Sequence, residues 1–88
     1  MPKVVYAPGV ERDLYGFPRD VFELFQSAFD ALERDPVDPG PPYRTKRVRG
    51  KAGNRAIRFE GWGAIYRVEG TQVWILKVGP RSTLYHGR

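Results

Sequence analysis

Between residues 18 and 34 the apolar side chains Val21, Phe22, Leu24, Phe25, Ala28, Phe29 and Leu32 recur at helical spacing. Arg19, Asp20, Glu23, Gln26, Asp30 and Glu33 lie mostly opposite them. This pattern predicts an amphipathic helix with one side committed to a core. Pro18 sits where a first helical turn tolerates a missing N–H. Upstream, residues 3–7 are β-branched and aromatic and read as a short strand closed by Pro8-Gly9. Residues 10–17 read as a short helix, which places Val10, Leu14 and Phe17 along one side.

The pattern changes after residue 34. The stretch DPVDPGPPY, residues 35–43, holds four prolines and a glycine. It cannot continue the helix and reads as a stiff, extended crossing toward a sheet. Beyond it, residues 43–49, 55–60, 62–69 and 72–78 read as strands separated by Gly50, Gly53, Gly61 and Gly70, pairing mainly as antiparallel hairpins. Along 55–60, Ile57 and Phe59 point one way and Arg58 and Glu60 the other, because side chains alternate across a strand. Trp74, inside an apolar strand, and Trp62, between two glycines, read as structural anchors.

The 88 residues suffice for one domain and one core. No apolar run approaches the ~20 residues that a helix needs to cross a bilayer. Pro2 and Lys3 lead straight into Val4-Val5-Tyr6 without the h-region of a secretory signal, which predicts a cytoplasmic protein. The absence of cysteine excludes disulfide and thiolate chemistry, and a single histidine makes a poor basis for a zinc site. Charge is distributed unevenly. Residues 1–42 carry four basic and eight acidic side chains, whereas residues 43–88 carry eleven basic and two acidic ones. A field concentrated in this way attracts polyanions, either nucleic acid or an acidic protein.

Two constellations carry candidate chemistry. RTKRVRGKAGNRAIR, residues 44–58, has seven basic residues in fifteen positions and no acidic one. Strand alternation puts Arg44 with Lys46 on one face and Arg47 with Arg49 on the other, so only part of the cluster converges. A charged edge strand protected against aggregation would share this composition, although such protection does not need seven like charges. The second constellation follows VWILKV, where Gly79-Pro80 ends the strand and Arg81 emerges at the rim of the sheet, followed by Tyr85 and His86. A guanidinium clamps phosphate through two parallel hydrogen bonds. A phenol stacks on bases or exchanges a proton, and an imidazole titrates near neutral pH. Together they match the needs of metal-free RNA cleavage, in which a ribose 2′-hydroxyl attacks its own 3′-phosphate with a base, a cation and an acid in attendance.

The order strand, two helices, basic strand, hairpin and strand, with the segment RAIRFEGWGAIYRVEGTQVWILKVGPRSTLY, resembles the RelE/ParE superfamily of type II toxin–antitoxin toxins. The most specific pieces are IRFEGWGAIYRV and VGPR followed four residues later by tyrosine. The resemblance implies an α+β domain with two N-terminal helices packed on one face of a twisted, mostly antiparallel sheet (β-α-α-β-β-β). It also implies neutralisation by a cognate acidic antitoxin and, for RelE-like members, metal-independent mRNA cleavage on the ribosome without a cofactor. By position, Arg58, Arg81 and Tyr85 match family residues that contact or cleave RNA, and His86 adjoins them. Lys46, Arg47, Arg49 and Lys51 lie in the family's basic segment, and Arg55 and Arg67 extend the RNA-binding set. Gly63 departs from the pattern, because RelE-like nucleases commonly place an arginine there; Arg67, on the same face, is the partial substitute.

Three functional readings follow. The first is a ribosome-dependent mRNA endoribonuclease, which Arg81, Tyr85 and His86 favour. The second is a ParE-like toxin that inhibits DNA gyrase without nuclease chemistry, which Gly63 favours. The third, a plain RNA-binding module, is weakened by the lack of an RNP-type aromatic motif or a zinc knuckle.

Overall fold

A computed structural model describes residues 2–48, 50 and 53–84. Five strands and three helices follow one another as β1 (Lys3–Tyr6), α1 (Val10–Tyr15), α2 (Arg19–Arg34), β2 (Arg44–Arg47), β3 (Asn54–Phe59), β4 (Trp62–Glu69), β5 (Gln72–Pro80) and α3 (Arg81–Leu84). The strands form one sheet in the order β1-β5-β4-β3-β2. β2 to β5 pair antiparallel, and β1 joins β5 in parallel. The expected α+β architecture, two helices over a mostly antiparallel sheet, is therefore what the chain adopts.

Register decides which side chains share a face. Phe59 lies opposite Trp62, Ile57 opposite Ala64, and Ala64 opposite Val78, so these side chains stand on one face with Tyr66, Ile75 and Val73. On that face they form the core with Val10 and Leu14 of α1 and with Val21, Phe25, Ala28, Phe29 and Leu32 of α2. Phe25 is its aromatic hub, with ring centroids 5.0 Å from Phe59, 5.5 Å from Phe17 and 6.1 Å from Trp62. A fully buried phenylalanine in such contacts contributes on the order of 3–5 kcal/mol relative to alanine. Trp62 is thus the predicted anchor. Trp74 pairs with Arg67 on the face away from α1 and α2, and its indole N–H donates to the Gln72 side chain at 3.2 Å. Trp74 is half-buried there, on the face opposite the core, where the residue count along β5 puts it.

The edges of several elements also differ from the expected ones. The ladder of β5 continues through Gly79 and Pro80, opposite Gly63 and Trp62. A proline that terminates a strand forfeits no bond its neighbour requires, so Gly-Pro extends the strand here instead of stopping it at residue 78. The chain then turns into the four-residue helix α3. α2 starts one residue after Pro18, which serves as its cap residue. No helix among the described residues is long and apolar enough to cross a membrane.

The proline-rich crossing between α2 and β2 is tied down by side chains. The Asp35 carboxylate accepts from the amides of Asp38 and Val37, each at 3.0 Å, and these bonds hold its carboxyl below the usual carboxylate range. The Tyr66 hydroxyl donates to the Pro36 carbonyl, and the Thr45 hydroxyl donates to the Val37 carbonyl at 2.7 Å. The linker is therefore stiff both in composition and in anchorage.

A cationic groove as the candidate nucleic-acid interface

On the face away from α1 and α2, the hairpin register brings Arg44 of β2 opposite Arg58 of β3, and Arg58 opposite Gly63 of β4. Lys46 stands beside them, opposite Ala56. Directly opposed strand residues lie about 4.5–5.5 Å apart at their Cα atoms, so the Arg44 and Arg58 side chains leave the backbone as neighbours on one face. Like charges in that position oppose folding, and an anion between them would reverse the sign. Arg58 is partly buried and Arg44 is exposed.

The end of β5 supplies the remaining wall. The Arg81 amide donates to the Gly61 carbonyl at 2.8 Å, which pins the start of α3 to the turn between β3 and β4. Arg81 thereby joins Arg58, Gly61, Ser82 and Lys46 around an open groove of about 610 Å³. An adjoining hollow of about 220 Å³ is lined by Pro42, Arg44, Arg58, Phe59, Glu60, Gly61 and Arg81. Arg58 and Arg81 therefore belong to both.

α3 also explains the departure at Gly63. Leu84 is buried against the sheet, and a Cβ at residue 63 would stand 3.0 Å from Leu84 Cδ1 and 2.9 Å from the Ile57 carbonyl oxygen. The close approach of the two chain segments requires glycine. The place where the resemblance expects an arginine is filled by a leucine from the chain's own end.

Of the other expected site residues, Arg67 shares the groove's face but pairs with Asn54, four residues along β4 from Gly63. Four strand residues span roughly 13 Å. Its guanidinium bonds the Glu69 carboxylate at 3.0 Å. Arg47 and Arg55 lie opposite each other on the helix-side face. Arg55 is turned inward, with Nε 3.4 Å from the Tyr66 hydroxyl and one terminal nitrogen 3.3 Å from the Thr45 hydroxyl. Burial pushes the Tyr66 hydroxyl above its usual range, and the Arg55 guanidinium partly offsets this. Arg49, Lys51, Tyr85 and His86 lie outside the described residues. Sequence reasoning passed over Arg44 and Glu60 as site residues; the register of the hairpin, with Arg44 opposite Arg58, is the signal that finds the first.

The arrangement can bind phosphate along the strand rim and stabilise charge that develops on it. The model of the ParE toxin of the type II toxin–antitoxin system parDE matches residues 4–85. No curated protein sequence matches the chain. Among solved structures, the archaeal RelE–RelB complex of Pyrococcus horikoshii is 25% identical with a TM-score of 0.77, covering 91% of this chain and 94% of the other. The RelBE2 toxin–antitoxin complex of Mycobacterium tuberculosis is 26% identical with a TM-score of 0.75, covering 92% of this chain and 100% of the other. YafQ of Escherichia coli shares the fold at 12% identity, with a TM-score of 0.76 over 97% and 99% of the two chains. The chain belongs to the ParE toxin family of type II toxin–antitoxin systems, within the RelE/ParE superfamily.

Proposed function

We propose that this toxin is a metal-independent endoribonuclease that cuts mRNA on the ribosome and so stops translation in the cytoplasm. One observation carries the reading: Arg44, Lys46, Arg58 and Arg81, from three separate elements, line two adjoining hollows that share Arg58, Gly61 and Arg81. Two of them, Arg44 and Arg58, stand opposite each other on neighbouring strands. In the reaction, the guanidiniums of Arg81 and Arg58 clamp the scissile phosphate and offset the charge that grows on its oxygens as the 2′-hydroxyl attacks. Tyr85, four residues after Arg81 in the sequence, is assigned proton transfer or base stacking, and His86 a secondary place beside it. Lys46, with Arg49 and Lys51, tracks the backbone of the message, whereas Arg47 and Arg55 face the helix side and Arg67 is engaged by Glu69 away from the groove. The toxin's partner outside the ribosome is an acidic antitoxin, a reading supported by its likeness to two toxins solved with RelB-type antitoxins.

Alanine at Arg81 tests the reading. Arg81→Ala should lower ribosome-dependent cleavage by about 100-fold or more, as loss of one transition-state donor does, with the fold and antitoxin binding unchanged. In the same assay Tyr85→Phe separates loss of a hydroxyl from loss of a ring. The second reading, a ParE-like inhibitor of DNA gyrase, is favoured by a specific observation: Leu84 occupies the space over Gly63 where nuclease members commonly carry arginine. Undiminished toxicity of both variants in cells would select it.

A further inference from the structure

The turn between β3 and β4 holds the single non-glycine residue with a positive φ among the described residues, Glu60 at 49°, followed by Gly61 at 83°. Two consecutive positive φ values mark a tight hairpin turn that asparagine or aspartate followed by glycine fills with least strain. A glutamate has no short polar side chain to satisfy the backbone locally, so it occupies the left-handed region at a cost. Ion pairing does not explain its presence, because the pairs among the described residues are Arg19–Glu23 and Arg67–Glu69. Strain retained at one residue points to a use for that residue.

Glu60 lines the hollow together with Arg44 of β2, Arg58 of β3 and Arg81 of α3. Among the described residues, the other ionisable groups that line the hollow and the groove are guanidiniums and one ammonium. Those groups are donors that carry their protons at neutral pH and cannot accept another. The carboxylate of Glu60 can accept one. We infer that Glu60 is the proton acceptor of the cleavage step, an inference that rests on the nuclease reading and names a catalytic group for it. The ribose 2′-oxygen attacks the adjacent phosphorus while its proton passes to the Glu60 carboxylate. The new oxygen–phosphorus bond forms as the bond from phosphorus to the 5′-oxygen of the next nucleotide breaks. That oxygen leaves with a proton from solvent or from a neighbouring acid. The products are a 2′,3′-cyclic phosphate and a 5′-hydroxyl end.

Single-turnover cleavage on programmed ribosomes, followed across pH, tests the assignment. The parent rate should fall on the acid side of neutral as a carboxylate base is protonated. Glu60→Gln should be slower by about 100-fold or more and should lose that acid limb, whereas Glu60→Asp recovers part of the rate. Glu60→Gly should melt a few degrees higher than the parent, because the left-handed turn then costs less, and yet cleave as slowly as Glu60→Gln. A parental rate in Glu60→Gln, or a slow rate with the acid limb intact, overturns the assignment while Arg81→Ala still reports on the nuclease reading. A parent that cleaves nothing overturns both.

Discussion

At the scale of single residues, Gly63 is where the chain's chemistry and its packing meet. Any side chain there would meet the Ile57 carbonyl oxygen at 2.9 Å and Leu84 at 3.0 Å. The first is backbone of a paired strand and cannot yield without breaking the ladder. The second is the tip of the Leu84 side chain and can give by a small rotation, so the carbonyl contact sets most of the cost. Gly63→Arg, which supplies the arginine common in nuclease relatives, should therefore destabilise the fold by about 1–3 kcal/mol, the usual cost of overpacking. Thermal melting would register this as a drop of several degrees, and cleavage should stay at or below the parental rate. A variant as stable as the parent and faster in cleavage would show that α3 is not seated on Gly63. Arg67 does not replace the missing cation, because it stands four residues along the strand and is engaged by Glu69.

At the scale of elements, β2 is an edge strand held from its helix-side face. Thr45 bonds both the Val37 carbonyl and Arg55, and Arg55 reaches the buried Tyr66 hydroxyl, which in turn donates to Pro36. Arg44 and Lys46 flank Thr45 and point the other way, so this network fixes the strand that carries two of the groove's cations. Burial raises the folded-state pKa of Tyr66 above the ordinary value near 10. The phenol thus stays neutral in the folded chain at pH values where it ionises in the unfolded one. Its contribution to stability is complete below about pH 10 and declines as pH rises through that value toward the folded-state pKa. Chemical denaturation from pH 8 to about 11 should show a steep loss in the parent and a shallower one in Tyr66→Phe; Tyr6, also raised by burial, keeps some slope in both. Equal slopes would contradict the buried placement of the hydroxyl.

The same elements show what the sequence could and could not reveal. α2 was legible because seven apolar residues at one period leave no other way to bury them. β3 and β4 were legible because alternation and the glycine turn between them are local signals. The parallel partner of β1 was not, since pairing Lys3 with Gln72 joins residues from opposite ends of the chain. The face of Trp74 was equally hidden: β5 is apolar on both sides, and a register shift interrupts it opposite Ile65 and Tyr66. Arg58 and Arg81 were legible as site residues, whereas the inward turn of Arg55 depends on hydrogen-bond partners at Thr45 and Tyr66 that no local pattern announces.

At the scale of the whole molecule, charge and architecture coincide. Six acidic residues, Glu11, Asp13, Asp20, Glu23, Asp30 and Glu33, lie on α1 and α2, and the chain from Arg44 onward carries eleven of the fifteen lysines and arginines. The molecule is thus polarised, with its sheet side toward polyanions and its helix side away from them. Such a field speeds encounter with polyanions, and the proposed associations with the ribosome and with an acidic antitoxin should both weaken as salt is raised. The central claim is that the polarised face ends in a groove that cuts RNA, not one that merely binds. The direct test incubates the purified toxin with ribosomes paused on a defined message and, in parallel, with DNA gyrase and relaxed plasmid. The account predicts a message cut only when ribosomes are present, leaving a 2′,3′-cyclic phosphate, with supercoiling by gyrase undisturbed; an intact message beside inhibited supercoiling would contradict it.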